Sequence, residues 1–548
     1  MKRFAPLSGP RLGVAMAGVA ALAGTSACRD ADGSQTREKE KWNIVYIMCD
    51  DHSYQTISCY DGRFVRTPYI DRIAQEGARF TNSFVANSLS GPSRACLLTG
   101  KHSHKNGFTN NEHGVFDGSQ QTLPKLLQAG GYQTAMIGKW HLVSEPTGFD
   151  HWDILTGQGD YYNPVFIRNG ERIVREGYAT DITTDVALEW LENRDPQKPF
   201  CLFLHHKAPH RSWMPDLQDL GIYDEVIYPL PDTFYDDYAG REAAGKQEMS
   251  ILADMNIIYD LKMADRENEF HTPDNPSLEA YGRDLYRRDL GPGELVPGRM
   301  NAAQQAAWDA YYDPIIRQFK EDLASGRLAG NRLNEWKYQR YMHDYCSVIH
   351  SVDRNVGRIY DYLEAHGLLA NTILVYTSDQ GFFMGEHGYF DKRFMYEESF
   401  RTPLLVRMPD GKGRGDIEAF VQNIDYTPTL LEAAGLPVPD DIQGESFLPL
   451  LRGRKPAHWR NSLYYHYYEY PAEHAVRRHY GVRTARYSLM HFYQDIDEWE
   501  LFDLKKDPQQ LNNLYGKPGM EKVTARLRKE LVRLQIQYDD PIRERNGF

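Results

Sequence analysis

Asn43-Ile44-Val45-Tyr46-Ile47-Met48 is an almost unbroken apolar run that ends in Cys49-Asp50-Asp51. A strand that is apolar at successive rather than alternate positions has both faces covered, as in a parallel sheet flanked by helices. The arrangement recurs along the chain. Tyr132 to Ile137 ends in Gly138-Lys139-Trp140-His141, and Phe200 to Leu204 runs into His205-His206-Lys207-Ala208-Pro209-His210. Thr372 to Thr377 ends in Ser378-Asp379-Gln380-Gly381. Helical patterns such as Thr122 to Ala129 and Tyr341 to Ala365 lie between these runs. Strand–helix alternation of this kind predicts an α/β fold, an open sheet with helices on both faces.

In such sheets ligands bind beyond the carboxyl ends of the strands. Here four strand ends deliver paired aspartates, a Lys-x-His, a histidine and an Asp-Gln. Any one of them also reads as a turn or cap; four together point to a site. A fifth segment, Ser90-Gly91-Pro92-Ser93-Arg94, reads as a helix start, with Pro92 in the first turn and Gly100 at the end. Ser90 then lies where free backbone N–H groups and the helix dipole favour an anion, with Arg94 about one turn on. By local pattern alone, Ser90 reads more readily as a simple N-cap.

These residues also match a family. Ser90-x-Pro92-Ser93-Arg94 followed by Leu98-Thr99-Gly100 closely resembles the signature of the sulfatases. Asp50-Asp51, Gly138 to His141, Ala208-Pro209-His210, Ser378 to Gly381 and Lys392 to Glu397 appear in family order, and Glu500 to Pro508 with Asn512-Asn513-Leu514 looks like the family's closing segment. The resemblance implies an alkaline-phosphatase-like fold, a mixed sheet sandwiched by helices with a smaller C-terminal α+β domain. It implies that Ser90 is oxidised to formylglycine (3-oxoalanine), and that Asp50, Asp51, Asp379 and Gln380 bind one Ca2+ together with the modified residue. Gln380 departs from the Asn or His often found there, but its side-chain oxygen suits calcium. His210 is implied as general acid at the leaving oxygen and His141 as general base. Arg94, Lys139 and Lys392 are implied to stabilise charge on the sulfuryl oxygens. His205 and His206 match no family role and read as structural. Serine-type sites resemble those matured by a radical-based bacterial enzyme, so a formylglycine-generating maturation enzyme is an implied partner.

The stretch from Asp379 to Ser399 is like that of bacterial sulfatases acting on glycan 6-sulfates, most commonly N-acetylglucosamine 6-sulfate. The implied substrate is a sulfated glycan or monosaccharide. Asp391 and Arg393, on either side of Lys392, are candidates for sugar hydroxyls or, equally, for a local ion pair; His479 is a further candidate. Two rival classes stand. Phosphate or phosphonate monoester hydrolases of similar fold use an unmodified Ser or Thr, but often hold two metals, and ligands for only one are visible here. A non-enzymatic glycan-binding lipoprotein would not need Lys139, His141, His210 and Lys392 around a metal.

The 548 residues carry a formal net charge of −13, which argues against nucleic acid or an anionic membrane surface as partner. The same charge would repel a polyanionic substrate, so any anion must be held by a local cluster of basic groups and metal. Lys2, Arg3 and Arg11 precede a short apolar run, Leu12 to Gly24, and then Thr25-Ser26-Ala27-Cys28. The run is shorter than the roughly 20 residues that span a bilayer, and reads as an export signal over 1–27. Cys28 resembles a bacterial lipoprotein acceptor, a lipid anchor in the periplasm. Thr25 departs from the leucine usual there, which leaves soluble periplasmic export open. Residues 28–41 suit a flexible tether.

The catalytic domain is expected over 42–454 and a C-terminal subdomain over 455–548. In the latter, Ser462 to His466 and Tyr487 to Tyr493 suggest an antiparallel sheet, and Val523 to Ile536 a helix packed on it. The charged, Tyr-rich insertion from about Leu217 to Trp336, punctuated at Pro273 to Pro276 and Leu290 to Pro297, is expected to wall the pocket. The five cysteines after Cys28 include no C-x-x-C pair, so they suggest neither a zinc cluster nor a disulfide framework.

Overall fold

A computed structural model describes residues 41–263 and 299–542. The export signal, Cys28, the tether through Glu40 and the two proline-punctuated loops lie outside the described residues. Four strands form the middle of a ten-stranded mixed sheet: β1 (Asn43–Cys49), β2 (Gln133–Lys139), β3 (Phe200–His205) and β4 (Thr372–Ser378). Their order is β4-β1-β3-β2, all parallel. The outer strand Leu404–Arg407 runs antiparallel to β4, and Val165–Arg168 and Glu171–Val174 form an antiparallel edge, which makes the sheet mixed.

Register is what assembles the site. Cys49 lies opposite Ser378, Met48 opposite His205, and Gly138 opposite His205. The residues that follow β1, β4 and β3, and Lys139 at the end of β2, therefore emerge along one edge. Gly138 has φ 101°, and a Cβ there would fall 2.0 Å from the His205 carbonyl oxygen, so only glycine lets β2 close against β3 at this level.

The unbroken apolar run of β1 has the expected cause. Val45, Ile47 and Cys49 enter a core shared with the long helix α2 (Asn331–Ala365). Ile44, Tyr46 and Met48 enter the opposite core with Leu97 and Leu98 of α1 (Ser90–Thr99) and with Leu430 and Leu431. α2 starts ten residues before the apolar periodicity becomes visible in the sequence, because its first turns are charged and lean on the insertion. The insertion adds a second helix, Ala302–Ala324, which buries Trp308, Tyr312 and Phe319.

The C-terminal part is a four-stranded antiparallel sheet of β5 (Ser462–Tyr467), β6 (His479–Thr484), β7 (Tyr487–Phe492) and β8 (Glu498–Asp503). Helix α3 (Glu521–Gln537) covers it, packing Leu527, Leu531 and Leu534 on Tyr464, Val482, Leu489 and Leu501. It belongs to the same compact unit that begins at Lys41. Cys49, Cys59, Cys96, Cys201 and Cys346 are all free thiols, and all but Cys59 are buried.

Candidate active site

Three carboxylates meet where β1 and β4 end. Asp50, Asp51 and Asp379 are each at most 1% exposed. Asp51 takes a left-handed backbone (φ 66°) held from both sides: its N–H donates to Asp379 Oδ1 at 3.2 Å, and its carbonyl accepts from the Tyr345 hydroxyl at 2.6 Å. Such a conformation is unfavourable for a non-glycine residue and persists where surrounding structure enforces it. Gln380 donates from Nε2 to Asp51 Oδ1, while its buried Oε1 has no partner.

Burying three negative charges is costly unless cations answer them. Lys139 pairs with Asp50, and Lys392 Nζ sits 2.5 and 2.7 Å from the two Asp51 oxygens. Arg94 donates to Asp379 Oδ2 at 2.9 Å and stands 3.9 Å from Asp50. Compensation is incomplete at Asp51, where burial raises the carboxyl to about 6 against the pull of Lys392. Burial, reinforced by repulsion from Lys207, drives the Lys139 ammonium well below its ordinary range.

Ser90 is the first residue of α1, and its Oγ donates to Asp50 Oδ1 at 2.9 Å. The N-cap is Leu89, which makes no side-chain cap bond. The simple N-cap reading of Ser90 is thus corrected: its hydroxyl turns toward the carboxylates, and the first-turn N–H of Gly91 is met instead by Asn111 Oδ1 at 3.2 Å. Arg94 also donates to the Lys139 carbonyl at 2.8 Å and lies 3.2 Å from His205 Nδ1, so His205 braces the arginine. His206 is fully enclosed without a ring partner, and burial lowers it to about 4.

Two histidines face this centre. His210 Nδ1–H donates to the Arg211 carbonyl at 2.8 Å, which leaves Nε2 3.7 Å from Asp51 Oδ2. His141, also in a left-handed conformation (φ 57°), lies with Nε2 3.1 Å from Gln158 Nε2. The same glutamine accepts from Lys139 through Oε1. Burial first, then the nearby Lys139, holds both histidines well below the usual imidazole range. Gln158 lies in an exposed Gly-Gln-Gly loop with no motif around it, and no sequence signal marks its bridging position.

The candidate sugar contacts resolve differently. Asp391 (φ 77°) and Arg393 (φ 92°) ion-pair with each other. His474 lies 3.3 Å from Asp391, and Glu473 3.6 Å from Arg393. The local-pair alternative is what the side chains adopt, with Arg393 Nε alone left without a partner. His479 is a correction. It is fully buried, Nε2 accepts from the Met395 N–H at 3.1 Å, and Nδ1–H donates to the Arg477 carbonyl at 2.8 Å. Both nitrogens are taken, so the ring supports the Lys392–Met395 segment from beneath and offers no atom to a sugar.

In donor chemistry, the oxygens of Asp50, Asp51, Asp379 and the unpartnered Gln380 Oε1 form a hard set of the kind calcium prefers. Distance alone groups Asp50 and Asp51 with His210 instead. The oxygen set is the better match for a hard ion, because imidazole nitrogen suits softer metals.

Carboxylates, encircling cations, a hydroxyl at a helix start and two histidines define a hydrolase for an anionic ester. Residues 42–436 match the family described as Sulfatase, and 385–537 that described as N-sulphoglucosamine sulphohydrolase, C-terminal. The chain belongs to the sulfatase family and is a sulfate-ester hydrolase. It is 51% identical over 513 residues to an N-acetylglucosamine-6-O-sulfatase of Bacteroides thetaiotaomicron, covering 92% of this chain and 88% of that protein. The solved structure of BT4656 in complex with its substrate D-glucosamine-2-N,6-O-disulfate superposes with a TM-score of 0.85 at 50% identity, covering 93% of this chain and all of that one. A phosphonate monoester hydrolase of Agrobacterium radiobacter shares the fold alone, at TM-score 0.64 and 20% identity, over 91% of this chain and 96% of that one.

Proposed function

We propose that the enzyme removes 6-O-sulfate from N-acetylglucosamine or closely related glucosamine units of sulfated glycans, using formylglycine at position 90 and one calcium ion. The observation that carries this reading is the convergence of Ser90, three buried carboxylates and the open Gln380 oxygen inside a ring of Lys139, Lys392, Arg94, His141 and His210. Similarity to the Bacteroides N-acetylglucosamine-6-O-sulfatase supports the choice of sugar.

Asp50, Asp51, Asp379 and Gln380 would hold the calcium, which supplies positive charge for the sulfuryl oxygens, while formylglycine hydrate supplies the attacking oxygen. The chain's own groups do the rest. Lys139, Lys392 and Arg94 orient the sulfate and meet charge as it grows on its oxygens. His210 keeps its Nδ1 proton on the Arg211 carbonyl, so Nε2 faces the departing sugar oxygen and passes it a proton from the imidazolium form, which burial disfavours in the free site and the negative charge of a bound sulfate ester favours. His141 takes up the proton that must leave residue 90 when sulfate is released; Gln158 holds its ring. The buried setting keeps both imidazoles weakly basic.

Export to the periplasm, lipidation at Cys28 and maturation by a formylglycine-generating partner belong to the same proposal. They rest on the leader-like residues 1–28 and on serine at position 90. The test is the mass of the tryptic peptide Phe80 to Arg94 from active protein made in its native host. Loss of two hydrogens is expected. An intact serine, together with turnover of phosphate or phosphonate monoesters, would establish the rival hydrolase.

A further inference from the structure

Far from the catalytic centre, a groove of about 920 Å3 runs between α3 and the turn that joins β6 to β7. Arg486 and Tyr487 form one wall; Arg526, Lys529, Arg533 and Ile536 form the other. Lys522, Arg526, Lys529 and Arg533 follow one another at spacings of four, three and four residues, which places them on a single helical face. All four are exposed, and they make a cationic ridge roughly 16 Å long. Leu527, Leu531 and Leu534 turn the other way, into the sheet.

The ridge is only partly neutralised. Arg533 pairs with Glu530 at 2.7 Å, and Arg486 across the groove with Asp503 at 2.7 Å. Lys522, Arg526 and Lys529 have no ion pair among the described residues. The guanidinium groups of Arg486 and Arg526 stand 5.0 and 5.8 Å from the Tyr487 ring centroid, which draws both toward the groove mouth. Ile536 is 56% exposed beside them.

The strand register sets the distance from the centre. Ser462 and Thr484 pair at the groove end of the C-terminal sheet; Tyr467 and His479 pair at the end beneath Met395. Five strand residues, about 17 Å, separate the two.

We infer that this ridge and groove bind a second stretch of the sulfated polysaccharide on which the enzyme acts. A chain of net charge −13 repels a polyanion over most of its surface, and in the catalytic centre Lys139, Lys392 and Arg94 already face carboxylates. A row of cations along one helix, three of them without an ion pair among the described residues, matches a linear polyanion, and Tyr487 with Ile536 offers apolar surface to sugar C–H faces. Arg526, Lys529 and Arg533 line the concavity itself, a shape that suits a linear chain better than a flat anionic bilayer, so the glycan is taken as the occupant. The inference draws on the sulfatase reading only for the nature of the polymer.

The test is direct binding of size-fractionated heparin to the full-length protein, measured without turnover, for the triple variant Arg526→Ser/Lys529→Ser/Arg533→Ser and the single variant Lys529→Glu. The triple variant is expected to weaken heparin binding about tenfold at moderate salt, with a shallower salt dependence. The kcat/KM for N-acetylglucosamine 6-sulfate should stay within about twofold. Unchanged heparin affinity in both variants would overturn the inference. So would variants that lose binding to phosphatidylglycerol vesicles while keeping heparin. If heparin binding falls in the variants but the wild type does not act on 6-sulfates, the groove stands and the substrate reading fails.

Discussion

Asp540 and Asp51 are both fully buried carboxylates with a histidine beside them, yet they end in opposite electrostatic states. Asp540 accepts from the Tyr464 hydroxyl at 2.6 Å, from His466 Nδ1 at 2.7 Å and from the Ile542 N–H at 2.8 Å. His466 in turn reaches the Tyr493 hydroxyl at 2.7 Å. Burial pushes Asp540 up, but the bond and charge of His466, the charge of His104 and the Tyr464 hydroxyl together outweigh it and leave the carboxyl well below the usual range. At Asp51 burial wins, and Gln380 beside it keeps an idle oxygen. A buried polar cluster that closes on itself stabilises; one left open, with cations pressed around it, is built to receive something.

The sharpest way to break this contrast is at residue 90. Ser90→Ala should abolish sulfate-ester turnover by about 10^5-fold or more while leaving the thermal midpoint nearly unchanged. Measurable residual kcat would remove the residue from the chemistry. His210→Ala comes next, with an expected loss of roughly 10^2- to 10^4-fold on sugar sulfates. The loss should shrink for aryl sulfates, whose leaving group needs no proton; equal losses on both would assign His210 to positioning instead of acid catalysis.

On the closed side, Asp540→Asn should cost about 2–3 kcal/mol of stability with kcat unaffected, read by denaturant unfolding alongside steady-state rates. A change in kcat would mean that the C-terminal knot communicates with the centre. The smallest effect concerns pH. In ion-free protein Asp51 lies at about 6, above its unfolded value near 4. The folded state then binds this proton more tightly, so the associated stabilisation is complete below about pH 4 and is lost as pH rises through about 6. Chelator-treated protein should lose a few degrees of thermal midpoint between pH 5 and 7, and calcium should flatten that slope. Parallel slopes with and without calcium would separate Asp51 from any ion.

Much of the site was legible because strand ends in a parallel sheet must converge. The apolar runs of β1 to β4 showed which residues would sit at those ends, and the segment from Ser90 to Arg94 supplied the hydroxyl and arginine. What was not legible depends on side-chain direction. Gln158 bridges Lys139 and His141 from a loop with no pattern of its own. Asp391 and Arg393 were equally readable as sugar contacts or as a pair; positive φ at both lets the two side chains meet, and a sequence does not display φ.

The amino-acid sequence by itself determined the sheet, the family and the inventory of charged groups, because periodicity and order along the chain carry that information. Only the tertiary structure decided which charges are spent and which are open. His479 looked available until Met395 N–H and the Arg477 carbonyl were found on its two nitrogens, and Ser90 looked like a cap until Leu89 took that place. Those outcomes depend on partners placed by packing, and hydrogen bonds of about 3 Å between residues 84 positions apart have no signature in local sequence.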